Sequence, residues 1–172
     1  MKKIQSFLLA IFMLEAGPVF AVDAHLNFTG RILESSCNID SSSANQTVTL
    51  ASTSIGNLPS VGSTASPKPI NVKLSCSVGA TVTMTVIASI TAVPSVVHND
   101  GGNAQEVGVQ FLRATEVGGT TGTPIMLNSP LSLGAVDSSG TMTVPLVVRY
   151  YRLGKLTPGN VVAYALLNFA YN

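Results

Sequence analysis

The chain closes on a segment that leaves little room for anything but a β-strand. In Gly159-Asn160-Val161-Val162-Ala163-Tyr164-Ala165-Leu166-Leu167-Asn168-Phe169-Ala170-Tyr171-Asn172, aliphatic and aromatic residues follow a Pro158-Gly159 turn, and such residues favour a pleated, half-buried surface. Side chains on a strand repeat every two residues. One face therefore collects Val161, Ala163, Ala165, Leu167, Phe169 and Tyr171. A second period-two row stands near the other end, in Val22 to Ile32. There Ala24, Leu26, Phe28, Gly30 and Ile32 are apolar or small, while Asp23, His25, Asn27, Thr29 and Arg31 are polar.

Between these rows the pattern predicts strands over 24–37, 46–51, 70–76, 80–90, 105–113, 141–152 and 160–171, with weaker pieces near 55–58 and 125–127. Turn chemistry separates them: Ser41 to Asn45, Pro67-Lys68-Pro69, Asn99-Asp100-Gly101-Gly102, Val117 to Pro124, Ser138-Ser139-Gly140 and Thr157-Pro158-Gly159. No stretch reads as a helix, an internal repeat or a low-complexity linker, and Ser60 to Pro69 is the most loop-like passage. Short strands at this spacing point to an all-β sandwich or barrel. Pro145 places the 141–152 strand at an edge or a bulge, because proline cannot donate to a ladder.

Residues 1–21 read as a secretory signal. Lys2-Lys3 precede an apolar run from Phe7 to Leu14, Gly17-Pro18 breaks it, and Val19-Phe20-Ala21 has the small-x-Ala form of a cleavage site. The run is shorter than the roughly 20 residues a bilayer span needs, and no later stretch is long and apolar enough to anchor the product. Residues 22–172 have the size of one domain.

Beyond residue 21 the basic residues (Arg31, Lys68, Lys73, Arg113, Arg149, Arg152, Lys155) balance the acidic ones (Asp23, Glu34, Asp40, Asp100, Glu106, Glu116, Asp137) and are scattered. That distribution lacks the basic footprint of a nucleic-acid binder. Charged residues make up 10% of the chain, against about 25% in a typical domain. Solubility then rests on hydroxyls and amides.

Cys37 and Cys76 are an even pair in an exported chain, so one disulfide is expected. A metal site from Cys37, Cys76, His25 and His98 would lack the close Cys-x-x-Cys or His-x₃-His spacing that zinc sites show. Catalytic motifs are missing as well. No serine lies in a Gly-x-Ser-x-Gly elbow, the acids are isolated in sequence, and His25 and His98 read as solvated edge and turn residues. Val117-Gly118-Gly119-Thr120-Thr121-Gly122 lacks the Gly-Lys-Ser/Thr ending of a phosphate loop and reads as a hairpin loop. Neither an enzyme nor a cofactor site is expected.

The two ends together carry a resemblance. A glycine (Gly159) opening an alternating C-terminal strand that ends on a penultimate tyrosine (Tyr171) resembles the signature of chaperone–usher fimbrial subunits of the type 1 pilus kind. The N-terminal row, with Gly30 in its middle and Cys37 following, resembles that family's donor segment and first core strand. Gln105 to Arg113, followed by Pro124-Ile125-Met126-Leu127-Asn128, is similar to its "apolar strand, loop, I-x-L" passage. The likeness spans residues 22–172, strong at the ends and loose in the middle.

The resemblance implies an incomplete immunoglobulin-like β-sandwich that lacks its final strand and is completed by donor-strand complementation, a named case of β-strand addition. In that picture Ala24, Leu26, Phe28, Gly30 and Ile32, in a donor segment of about 22–32, enter a neighbour's groove, and Gly30 fits where a side chain would clash. Gly159, Val161, Ala163, Ala165, Leu167, Phe169 and Tyr171 form the acceptor strand, which also meets the chaperone. The implied partners are a periplasmic chaperone, an outer-membrane usher and neighbouring subunits, and the implied place is a fimbrium at the cell surface. The expected function is a structural fimbrial subunit contributing to adhesion. Alternatives are a carbohydrate- or receptor-binding adhesin module of the same architecture, or a periplasmic module with a complete sandwich.

Overall fold

The computed structural model describes residues 37–172. The signal segment 1–21 and the alternating row from Ala24 to Ile32 lie outside the described residues. Among the described residues nine strands form two antiparallel sheets. β1 (Cys37–Ile39), β2 (Thr64–Cys76), β8 (Thr141–Thr157), β5 (Gln105–Ala114) and β4 (Val96–Val97) follow in that order across the larger sheet, and β6 (Gly122–Pro124) also pairs with β5. The smaller sheet runs β7 (Pro130–Ala135), β3 (Thr81–Ala88), β9 (Ala165–Tyr171).

Period-two patterning explains how the sheets face each other. On β3, Val82, Met84 and Val86 are fully buried and alternate with outward Thr81, Thr83 and Thr85. They meet Val72 and Leu74 of β2, Phe111 of β5 and Val144, Leu146 and Val148 of β8 in one core, closed at its margins by Ile125, Leu127 and Val136. β8 is buried on both faces at its centre, since Val147 packs instead with Leu112 and Ala114. The result is an immunoglobulin-like sandwich.

Several expectations are corrected. Residues 46–51 are not a strand: they run without a ladder partner, although Val48 and Leu50 pack on the core. Residues 55–58 form a 3-10 turn at Ile55–Asn57. No strand forms at 125–127, where Ile125 N bonds Phe111 O and Leu127 N bonds Pro94 O as single contacts. β6 lies instead within the expected turn from Val117 to Pro124. A four-residue helix, α1 (Ser41–Ala44), occupies the expected Ser41–Asn45 turn because the Asp40 carboxylate accepts from Ser42 N and caps it. The Ser42 hydroxyl donates to the same carboxylate oxygen, and this bond, with that from Ser42 N, holds the exposed Asp40 carboxyl below its ordinary pKa.

β2 begins at Thr64, inside the passage read as loop. A register shift between Ala65 and Lys68 absorbs Pro67, and Ser66 takes a φ of 52° there. Pro145 stands in the central strand, not at an edge. It pairs with Asn71 on one side, while the β5 ladder ends next door at Arg113↔Leu146. Its carbonyl accepts from Arg113 Nη1 at 3.2 Å, so the nitrogen of the same residue also faces the β5 side, beyond the last ladder pair. The missing N–H therefore breaks no ladder bond. Two strands escape the periodicity: β4 is too short to show a period, and β7 skips register at Gly134, whose φ is 92°.

Cys37 and Cys76 lie directly opposite each other in the β1–β2 ladder and form a disulfide. The described part of β1 is three residues paired with β2, and the disulfide adds a covalent tie to that short ladder. Replacing both cysteines by serine should lower stability by about 4 kcal/mol, the chain-entropy value for a closure of this length. Urea unfolding of the two oxidised proteins side by side measures it; a difference under about 1 kcal/mol would show that β1 is held by its ladder alone.

Candidate functional site

The C-terminal strand is an open edge. β9 pairs with β3, from Val82↔Tyr171 to Ala88↔Ala165, and among the described residues it has no strand on its other side. Thr81 N bonds Asn172 O at 3.0 Å and Asn172 N bonds Thr81 O at 3.1 Å. Backbone direction alternates along a strand, so the even-numbered residues of β9 point at β3. The N–H and C=O groups of Ala165, Leu167, Phe169 and Tyr171 therefore face away from the sheet.

Pairing with β3 stops at Ala165, although the sequence pattern extends the strand back to Asn160. Residues 160–164 lean instead on the 99–104 loop. Gly101 N bonds Val162 O at 3.1 Å and Ala104 N bonds Asn160 O at 3.0 Å. Asn103 Oδ1 accepts from Asn160 N at 2.7 Å, and Asn99 Oδ1 accepts from Val162 N at 2.7 Å. Close approach here requires glycine, because a Cβ on Gly102 would stand 2.0 Å from Asn160 O.

Beside this edge runs a groove of about 760 Å³. Its second wall is the ladderless stretch 43–50, tied to β2 where Lys73 N donates to Ser43 Oγ at 3.1 Å and Gln46 Nε2 donates to Asn71 O at 3.2 Å. Val97, Val109, Phe111, Val148 and Tyr150 are among the residues that line it between the walls. An adjoining cavity of about 460 Å³ shares Tyr150, Val161 and Val162 and continues to Ser52–Ile55 and Leu156–Asn160. Among the described residues no charged side chain lines either cavity. Burial pushes the Tyr150 hydroxyl above its ordinary pKa, so this residue too is neutral at physiological pH.

The structure brings together most of the residues singled out by sequence. Val161, Ala163, Ala165, Leu167 and Phe169 line the groove, Gly159 lines the adjoining cavity, and Tyr171 sits at the far end, 40% exposed. Ala163, Leu167 and Phe169 turn toward the core yet remain only partly buried. Inward side chains without cover, next to unpaired backbone, define a surface for one more strand. Sequence reasoning missed the wall at 43–50 as a wall, the floor residue Tyr150, and Asn99; only the Val48/Leu50 alternation signalled any of them. Ala24, Leu26, Phe28, Gly30 and Ile32 lie outside the described residues. Among the described residues no group of His, Cys, Asp and Glu is placed to hold a metal ion.

The immunoglobulin-like sandwich is an architecture shared with pilus subunits. A subunit from a chaperone–usher pilus structure superimposes with a TM-score of 0.63 at 16% identity, covering 91% of this chain and 100% of that one. The CupB6 tip adhesin of Pseudomonas aeruginosa superimposes with a TM-score of 0.56 at 21% identity, over 71% of this chain and 34% of that chain. This chain thus spans about a third of the adhesin's length. The "Fimbrial subunit type 1" of Klebsiella pneumoniae is 27% identical over 154 residues, 85% of this chain and 82% of its own. The fimbrial protein family profile matches residues 26–172. The chain belongs to that family.

Replacing Leu167 or Phe169 by aspartate sets a charge on the inward face of β9 and should cost about 1–3 kcal/mol or more. Asn168→Asp, on the exposed face, should stay within about 0.5 kcal/mol of the parent protein. Urea midpoints and periplasmic recovery of the three variants compare them; equal recovery of Phe169→Asp and Asn168→Asp would mean that the groove face tolerates charge and is not an apolar acceptor.

Proposed function

We propose that the groove beside β9 accepts an extended segment from a neighbouring subunit, and that residues 22–32 supply that segment to the next copy. The chain is a structural subunit of a chaperone–usher fimbria, exported through the periplasm and assembled at the cell surface. The observation that carries this reading is the β9 edge: the outward backbone groups from Ala165 to Tyr171 have no ladder partner among the described residues, and they border inward side chains that remain only partly buried. A groove floored by apolar residues such as Val97, Val109, Phe111 and Val148, with polar residues along the 43–50 wall, suits an alternating strand, and the row Leu26, Phe28 and Ile32 has that form. Fully burying those three side chains contributes on the order of 5–9 kcal/mol, to which ladder bonds add.

The same exposed edge is a template for misassociation, which gives a periplasmic chaperone its role before assembly and an outer-membrane usher its role at export. In this reading residues 1–21 are removed as a signal peptide and 22–172 form one pilin domain with its donor segment. The role is structural and not enzymatic, a reading supported by membership of the fimbrial protein family.

Deleting residues 22–29 should leave a subunit that accepts a strand but cannot donate one. Mixed with intact subunits, it should cap growing fibres and shorten them in proportion to its dose, as measured by electron microscopy. Long polymers formed by the deletion protein alone would overturn the donor assignment.

A further inference from the structure

The sheet supports only part of the acceptor edge. β3 stops at Ala88, opposite Ala165, yet the groove continues along Val161 and Ala163. The backbone groups of Asn160 and Val162 that would otherwise bond a neighbouring strand are taken up by the 99–104 loop. Asn99 is the centre of that arrangement. It is 9% exposed, and its amide is fully used. Oδ1 accepts from Gly102 N at 3.0 Å and from Val162 N at 2.7 Å. Nδ2 donates to Ala104 O at 2.8 Å and to Asn160 O at 3.2 Å. One side chain thus folds its own loop and grips the strand, doing in this stretch what β3 does further along.

Resting on the strand-acceptor reading above, we infer that Asn99 is a positioning residue for strand uptake: it extends the acceptor edge past the end of the sheet, from Ala165 back to Val161. The chemistry follows from alternation. With Asn160 and Val162 bonded to the loop, Val161 and Ala163 must turn their N–H and C=O groups outward, in register with those of Ala165, Leu167, Phe169 and Tyr171. An incoming strand then meets one continuous row of donors and acceptors. Without the clasp the row ends where β3 ends. Asn103 supports the same register from the rim, accepting from Asn160 N at 2.7 Å while itself exposed.

Residue-resolved hydrogen exchange on fibres assembled from the full-length protein tests this. In the parent fibre the amides of Val161, Ala163, Ala165, Leu167, Phe169 and Tyr171 should all be protected. In Asn99→Ala fibres the amides of Val161 and Ala163 should exchange about tenfold faster or more, while Ala165 to Tyr171 change less than about twofold. Asn103→Ala, which removes one bond at an exposed position and leaves the core untouched, should shift Val161 in the same direction by about threefold. Asn128→Gly serves as the control. Asn128 brackets Ala88 with two bonds of 3.0 Å at a φ of 57°, which glycine accepts, so its loss should leave Val161 and Ala163 protected. Uniform acceleration along β9 in Asn99→Ala, or unchanged exchange at Val161 in both clasp variants, overturns the assignment. If the outward amides of Ala165 to Tyr171 are unprotected in the parent fibre, the strand-acceptor reading itself fails, and this inference with it.

Discussion

A β-strand is stable when both of its edges have backbone partners and its apolar face is covered, and β9 has only half of each. β3 satisfies one edge, and the core receives Leu167 and Phe169 without closing over them. Everything else about the functional site follows from that deficit. Unpaired N–H and C=O groups are costly away from water and adhesive in contact with another chain. A fold that ends this way gains stability when another strand arrives, so assembly and completion of the fold become the same event.

The groove must nevertheless keep its shape while it is empty, and the structure holds its two walls by different means. The 43–50 wall has no ladder. It is pinned at its start by the disulfide, by the capped turn after Asp40 and by side-chain bonds to β2 from Ser43 and Gln46. The β9 wall is laddered to β3 over its second half and clasped by Asn99 and Asn103 over its first. Charge plays little part in either wall. The low charged content of the chain (10%) is mirrored in cavities lined without a single ionised group, where an unpaired charge would be expensive to bury.

Much of this was legible before any coordinates. Alternation at Thr81 to Ala88 and along Leu167, Phe169 and Tyr171 specified strands and their faces, because period two has only one structural solution in which the apolar set is buried together. Gln105 to Ala114, buried on both faces at its centre, was marked as a strand by its residue types and flanking turns. The passages that misled are those where neighbours, not local pattern, set the outcome. Val48 and Leu50 alternate as a strand should, but among the described residues no adjacent strand completes a ladder. Pro145 reads as an edge signal, yet it is tolerated in the central strand because the β5 ladder happens to end beside it. Pro67 and Pro69 read as a turn, yet a bulge in β2 absorbs Pro67 and Pro69 stands in the ladder opposite Val147.

The amino-acid pattern by itself determined the class of fold, the cysteine pair and the row of side chains from Val161 to Tyr171, since each depends on residue type and spacing along one stretch of chain. Only the tertiary structure decided that this row borders an open groove, that Tyr150 from a distant strand lines it, and that Asn99, sixty-odd positions from the strand it grips, holds the last of its register. Those facts depend on which backbone edges find partners, and partnering is a property of the packed sheets that no local period records.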